Sequence, residues 1–120
     1  MNKSTLVLGA SVNTGRYSNK AIFKLKEHKI VTFAIGAKTG KVLDVVIETE
    51  KKEYEDINTV TLYLNPTRQK EYYDYILKLK PSRVIFNPGT ENTELMNLLK
   101  ENEIEVVVAC TLVLLNLNQY

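Results

Sequence analysis

The chain has 120 residues, of which 44% are hydrophobic and 25% are charged, and its formal net charge is +2. This composition is ordinary for a globular protein and excludes a disordered or low-complexity chain. The single cysteine and the single histidine exclude an intramolecular disulfide and a Cys- or His-based metal cluster. We therefore expect residues 1–120 to form one domain with its own core and no metal site.

Charge is distributed unevenly along the chain. Residues 1–43 carry eight basic side chains and one acidic side chain, whereas the remainder carries eight basic and thirteen acidic side chains. A basic first half favours a phosphorylated ligand, with Arg16, Lys20, Lys38 and Lys41 as candidate contacts, although solvated helix surface also explains such lysines. The longest apolar run, Val106–Leu115, is too short to cross a bilayer, and the N-terminus lacks a signal-peptide pattern. We expect a soluble cytoplasmic protein without membrane association.

Strand and helix patterns alternate in chain order. Thr5–Leu8 predicts a first strand, and the helical spacing of Ala21, Ile22 and Leu25 predicts a helix over Ser18–His28. Further strands are predicted at Ile30–Ile35, Val42–Ile47, Thr59–Leu64, Arg83–Phe86 and Ile104–Val108, a loop at Glu48–Asp56, and helices at Thr67–Leu79, Thr90–Asn102 and Thr111–Leu117. Apolar strands separated by helices predict an α/β protein, a Rossmann-like three-layer sandwich with a parallel sheet of five to six strands.

Three loops that follow strands are expected to meet at one rim of this sheet. They are Gly9–Ser18, Asn65–Arg68 and Asn87–Thr90. In the usual strand order the first and fourth strands are neighbours where the order reverses, and ligands bind there at the carboxyl ends. The proline of each Asn-Pro pair ends its strand, so that the asparagine either presents its amide to the crevice or caps the following helix.

The first loop favours a phosphate ligand. Gly9-Ala10-Ser11 leads directly into a helix start, whose N–H groups and dipole favour an anion. The loop is not a P-loop, because Gly9 and Gly15 are separated by five residues and no Lys-Ser/Thr follows, and Ser11 replaces the second glycine of the dinucleotide pattern. Gly36-Ala37-Lys38 lacks the acid that binds the ribose hydroxyls of NAD, which leaves CoA or NADP.

These motifs, in this order, resemble the small stand-alone CoA-binding proteins of bacteria, Rossmann-like domains similar to the CoA-binding part of the succinyl-CoA synthetase alpha subunit. The resemblance covers essentially the whole chain and is carried by Leu8–Ser11, Arg16–Asn19, Val60–Pro66, Pro81–Asn92 and Ala109–Val113. It implies that the diphosphate lies on Gly9, Ala10, Ser11, Arg16, Ser18 and Asn19, and that the adenosine lies near Gly36, Ala37 and Lys38 and borders Asn65, Pro66, Thr67 and Arg68. The pantetheine arm would then run toward Asn87, Pro88 and Gly89. A proline-rich segment of the larger family is replaced by Gly36–Gly40, so Lys38 or Lys41 is assigned to the 3′-phosphate from charge and position.

No residue is predicted to be catalytic. Cys110 is the candidate nucleophile, yet it follows an apolar strand with no histidine nearby in sequence, which favours a packing role over exchange with the CoA thiol. Ser11 also lacks a histidine base. We expect a non-catalytic or regulatory module that binds coenzyme A, free or acylated.

Other functions and partners stay open at this point. The alternatives are an NADP-dependent redox protein, an acyl-transfer enzyme that uses Cys110, and an interaction subunit that keeps the fold without a ligand. Nucleic acid is not expected as a partner, because the basic segments lack interleaved aromatic residues. A homodimer, through the tyrosine-rich helix and the apolar C-terminal segment, and an unidentified protein partner both stay open.

Overall fold

A computed structural model describes residues 3–120. The strands are β1 (Thr5–Ala10), β2 (Thr32–Gly36), β3 (Gly40–Val42), β4 (Val45–Glu48), β5 (Thr59–Leu62), β6 (Arg83–Phe86) and β7 (Glu105–Val108). The helices are α1 (Tyr17–Glu27), α2 (Pro66–Gln69), α3 (Tyr73–Leu79), α4 (Thr93–Glu101) and α5 (Thr111–Asn116), with a 3₁₀ turn at Lys70–Tyr72 between α2 and α3.

All seven strands form one sheet in the order β3-β4-β2-β1-β5-β6-β7. Neighbouring strands are parallel except for the antiparallel pair β3 and β4. The strand order reverses between β1 and β5, so the crevice predicted from the usual Rossmann order lies where expected. The structure therefore confirms the predicted Rossmann-like α/β fold.

The sheet has one strand more than the predicted five to six. The segment Val42–Ile47, predicted as one strand, instead turns at Leu43-Asp44 and forms the hairpin of β3 and β4, with Leu43 at φ +54°. Tight hairpin turns need positive φ and normally carry Gly or Asn at that position. Because leucine stands there and only Asp44 follows, the sequence lacked the Gly or Asn that marks a tight hairpin turn.

Each face of the sheet has its own core. Alternate residues of a strand point to opposite faces, so Val7 packs with Ile22 of α1 and Leu115 of α5, whereas Leu6 packs with Ile76 of α3 and Leu99 of α4. Helices thus cover both faces, which gives the three layers. Among residues 3–120, no helix is long and apolar enough to cross a membrane.

Two helix boundaries differ from the predicted ones because asparagine side chains set them. The helix predicted from Thr90 begins at Thr93, since the Oδ1 atom of Asn92 accepts a hydrogen bond from the Leu95 N–H at 3.3 Å and caps it. The helix predicted over Thr67–Leu79 begins at Pro66 after the cap Asn65, and the 3₁₀ turn divides it.

Candidate functional site

A cleft with a volume of about 720 Å³ opens at the carboxyl ends of β1 and β5. All three loops that were expected to meet at this rim contribute to it. Eleven of the sixteen predicted site residues line it: Gly9, Ala10, Ser11, Arg16, Ser18, Ala37, Lys38, Asn65, Arg68, Pro88 and Gly89. Six further residues, which lie within the predicted loops and motifs but were not predicted as site residues, complete the lining: Val12, Asn13, Tyr17, Tyr63, Leu64 and Thr90.

Two glycines allow backbone segments of the cleft wall to approach each other closely. Gly9 has φ +95°, and a Cβ atom there would lie 2.9 Å from the carbonyl of Tyr63, just beyond β5. At Gly36 a Cβ atom would lie 2.2 Å from the Ala10 carbonyl oxygen. The β1–β2 register also shifts between Leu8 and Ala10, which marks a bulge. Only glycine permits these close approaches, so both residues shape the start of the first loop.

The first loop is held by its own hydrogen bonds. The Asn13 N–H donates to Ser11 Oγ at 3.0 Å, the Gly15 N–H donates to Asn13 Oδ1 at 2.9 Å, and Asn19 Nδ2 donates to the Ser11 carbonyl at 3.0 Å. This pattern fixes the loop independently of any ligand. Preorganisation of this kind lowers the entropic cost of binding.

The start of α1 faces the cleft without a cap. Its N-cap residue, Arg16, makes no side-chain capping bond, and no acidic residue lies in the first turn. By contrast, α2 and α4 are capped by Asn65 and Asn92. Since Arg16, Tyr17 and Ser18 all line the cleft, this eleven-residue helix directs its positive dipole end into it.

The charges of the cleft wall have one sign. Arg16, Lys38 and Arg68 line it, and none of the described carboxylates does, although the Glu91 carboxylate accepts a hydrogen bond from the N–H of the wall residue Gly89 at 2.9 Å. The ion pairs found in the described part of the chain engage other lysines, namely Lys24, Lys26 and Lys52. The two other basic residues predicted from the first half are not part of the cleft lining: Lys20, on α1, lies over the Tyr17 ring, and Lys41 lies on β3. The cleft is therefore suited to an anion.

Five predicted site residues do not line the cleft. Asn19 and Gly36 are buried behind the first loop, where they support its shape. Pro66 and Thr67 form the first turn of α2. Asn87 is 2% exposed, and its side chain donates to Thr61 Oγ1 and the Leu62 carbonyl and accepts from the Thr111 N–H. Its amide thus ties β5, β6 and α5 together and does not face the crevice.

A buried glutamine braces the two rim loops that follow β5 and β6. Gln69 is fully buried, and its Nε2 atom donates to the carbonyls of Leu64 and Thr90, both at 2.8 Å. Its Oε1 atom accepts from Asn92 Nδ2 at 2.9 Å. A signal for this role existed in the sequence, because Gln69 precedes Tyr72 and Ile76 at helical spacing within the helix predicted over Thr67–Leu79.

Tyr63 forms part of the cleft wall beside Cys110. Burial raises the pKa of its hydroxyl well above the usual value, and the neighbouring Cys110 thiol raises it further. Tyr63 Oη has no partner at hydrogen-bonding distance among the described residues; the Thr61 and Thr111 hydroxyls, which bond to each other at 2.8 Å, lie nearby and counteract part of the rise in pKa. Cys110 is half-buried at the N-cap position of α5 and is not part of the cleft lining. Tyr63 thus contributes part of the cleft wall while its hydroxyl stays buried, and the charged groups of the wall are three cations.

Solved structures share this architecture. A crystal structure of an uncharacterized protein superposes with a TM-score of 0.97 at 49% identity, over 100% of this chain and 99% of the other. A hypothetical protein from Pyrococcus horikoshii OT3 has a TM-score of 0.83 at 25% identity, over 93% of this chain and 80% of the other. A Thermus thermophilus protein, cell-free ID.343, shares the fold at 19% identity, with a TM-score of 0.86 over 99% of this chain and 91% of the other. No curated protein matches the chain.

The family comparison covers the residues that form the cleft. Residues 3–116 match the family described as a CoA binding domain, which covers nearly the whole chain. That range includes every residue of the cleft wall. On this match, the chain belongs to the family of CoA binding domains.

Proposed function

We propose that this protein binds coenzyme A, free or acylated, in the cleft between β1 and β5, as a non-catalytic binding or regulatory module of the cytoplasm. The observation that carries the proposal is a cleft with three cations, no carboxylate and an uncapped helix start, in a chain of a CoA-binding family. The diphosphate would lie at the start of α1, on the backbone of Gly9–Ser11 and beside Arg16.

The charge of the ligand fits the charge of the cleft. Coenzyme A carries a diphosphate and a 3′-phosphate monoester, which together amount to roughly −4 at neutral pH. Arg16 and Arg68 border the first loop and the loop after β5, and Lys38 lies across the cleft after β2. We assign Lys38 to the 3′-phosphate and leave Lys41 out of the site, because Lys41 lies on β3 and is not part of the cleft lining.

The remaining predicted residues receive supporting roles in this proposal. Asn19 and Gly36 hold the first loop in its binding shape, and Asn87 joins the ends of β5 and β6 beneath the rim. The pantetheine arm would pass Pro88 and Gly89, whose exposed backbone forms the far side of the cleft. Tyr63 and Leu64 would contact the ligand between these two ends.

A non-catalytic role is supported by the groups in the cleft. Its titratable side chains are Arg16, Lys38, Arg68, Tyr17 and Tyr63. None of these is a histidine or carboxylate that would accept a proton near neutral pH, and burial keeps Tyr63 protonated. The cleft therefore offers positive charge and hydrogen-bond donors for binding, without a general base.

Calorimetric titration with four ligands tests the proposal. We expect coenzyme A to bind more tightly than 3′-dephospho-CoA, and both to bind more tightly than NAD. Since the cations are exposed at the surface, affinity should fall as salt is added. Binding of NADP but not coenzyme A would favour the redox alternative, and a lack of response to all four would favour an interaction subunit.

A pair of lysine variants tests the 3′-phosphate assignment. Lys38→Ala should weaken coenzyme A about five- to tenfold, since an exposed charge-assisted bond contributes about 1–1.5 kcal/mol. The same change should leave 3′-dephospho-CoA unaffected. Lys41→Ala is the matched control and should change neither affinity. An equal loss for both ligands in Lys38→Ala would remove this lysine from the 3′-phosphate.

A double variant tests the diphosphate position. Ser11→Asp with Arg16→Glu places two carboxylates at the start of α1 and should abolish binding of coenzyme A. Both positions lie in the exposed loop and its boundary, so the thermal midpoint should change little. Lys78→Glu, an exposed charge reversal on α3, is the control that should keep full affinity. Retained binding in the double variant would refute the site.

A further inference from the structure

The outer edge of β7 is a row of unpaired backbone groups. β7 is the last strand of the sheet and pairs only with β6. In a parallel ladder alternate residues bond the neighbouring strand, and here the Glu105 and Ala109 N–H groups donate to β6 or its preceding residue. The N–H and C=O groups of Val106 and Val108 therefore point outward, away from the sheet.

The two edges of the sheet differ in how they are protected. β3, at the other edge, has three residues, and the central one is the exposed Lys41. A short strand and a lysine are common devices against edge-to-edge pairing. β7 is one residue longer and carries no lysine; its one charged residue, Glu105, stands at its start, and three valines follow, with Val108 59% exposed. Val113 and Leu117 of the adjoining C-terminal segment are also exposed.

We propose that β7 is a self-association surface, which pairs antiparallel with β7 of a second copy across a two-fold axis and forms a continuous fourteen-stranded sheet. With Val107 on the axis, Val106 of one copy lies opposite Val108 of the other. Both residues have outward N–H and C=O groups, so each pair of Val106 with the partner's Val108 forms two hydrogen bonds. The two-fold axis produces two such pairs, and the interface therefore contains four hydrogen bonds between the two strands. This register also keeps side chains of the same sheet face together.

The placement of charge and the difference between the two sheet edges favour a second copy as the occupant. Glu105 is the only charged residue of β7, and in this register it lies opposite Ala109 of the partner, not opposite the partner's Glu105. The two carboxylates thus stand at opposite ends of the interface. A two-fold pair occupies the β7 edges of both copies. The sheet edges that remain exposed are the two β3 strands, which carry Lys41, so assembly ends at the dimer.

Sedimentation velocity over a concentration series up to about 1 mM tests the interface. The wild type should shift toward twice the monomer mass, and Val108→Lys and Val108→Pro should stay monomeric. The proline removes an outward N–H without touching the ladder to β6. Val46→Lys is the matched control, since Val46 is 51% exposed in β4, and it should still dimerise. A monomeric wild type, or dimers in both Val108 variants, would overturn the proposal.

A cysteine placed on the axis tests the register. Directly opposite residues of a non-hydrogen-bonded pair have Cα atoms about 4.5 Å apart, within the range that a disulfide spans. Val107→Cys in a Cys110→Ser background should therefore form an intermolecular disulfide under mild oxidation. Val46→Cys in the same background should not. If Val107→Cys stays reduced while the protein is dimeric, this register is wrong.

Discussion

The side chain of Gln69 offers the sharpest test of how the rim of the cleft is held. It is fully buried, donates to the Leu64 and Thr90 carbonyls, and accepts from Asn92 Nδ2. Gln69→Leu keeps much of the volume and removes all three hydrogen bonds. The two carbonyls lose this donor, while Asn92 Nδ2 keeps its bond to the Tyr73 hydroxyl at 2.9 Å.

The expected cost follows from these unpaired groups. A buried polar group left without its partner costs about 1–3 kcal/mol, and here two carbonyls are fully affected. The added apolar burial of leucine offsets part of this loss. We therefore expect Gln69→Leu to lower the free energy of unfolding by about 3 kcal/mol, which corresponds to a fall of roughly 10 °C in thermal midpoint for a domain of this size.

Chemical denaturation and calorimetry of purified variants measure this change. Gln119→Leu is the matched control, because Gln119 is exposed, and it should stay within about 0.5 kcal/mol of the wild type. Gln69→Glu adds a pH test. A buried glutamate has its pKa raised above its unfolded value, so this variant should lose stability, relative to the wild type, as pH rises above about 4.3. A Gln69→Leu protein as stable as the wild type would refute the bracing role.

Three further predictions concern the cleft wall. Gly9→Ala should lower the free energy of unfolding by about 3 kcal/mol and Gly89→Ala by only about 1 kcal/mol. Both residues have positive φ, but only at Gly9 would the added Cβ atom meet other atoms. Equal free energies of unfolding for the two variants would contradict this. Asn65→Asp should keep the α2 cap and the thermal midpoint but weaken coenzyme A by adding a carboxylate, whereas unchanged affinity by calorimetry would place the ligand elsewhere. Burial raises the pKa of Tyr63, so ionisation of its hydroxyl opposes folding as pH rises above about 10. Between neutral pH and about pH 11, the free energy of unfolding of Tyr63→Phe should therefore fall less than that of the wild type. Tyr17→Phe, at an exposed site, should behave as the wild type.

Local patterns were sufficient to predict the fold class and most of the cleft. Apolar strands, the glycine loop and the two Asn-Pro turns depend on neighbours in sequence, so they predict strands, breaks and a common rim. The neighbouring position of the first and fourth strands then follows from the usual strand order of Rossmann-like sheets. The hairpin after β2 was missed, since Leu43 is an unusual turn residue and its conformation depends on the pairing of β3 with β4.

The sequence by itself determined that this is a Rossmann-like α/β chain with a phosphate-type loop after its first strand, because periodicity and turn residues act locally. Only the tertiary structure decided which predicted residues face the cleft. Asn65 and Asn87 occur in the same Asn-Pro pattern, yet Asn65 caps α2 at the cleft wall and Asn87 is buried among β5, β6 and α5. The physical reason is that the direction of a side chain at a strand end depends on contacts between elements far apart in sequence. The same dependence assigns Lys38 to the cleft and Lys41 to β3, at the edge of the sheet.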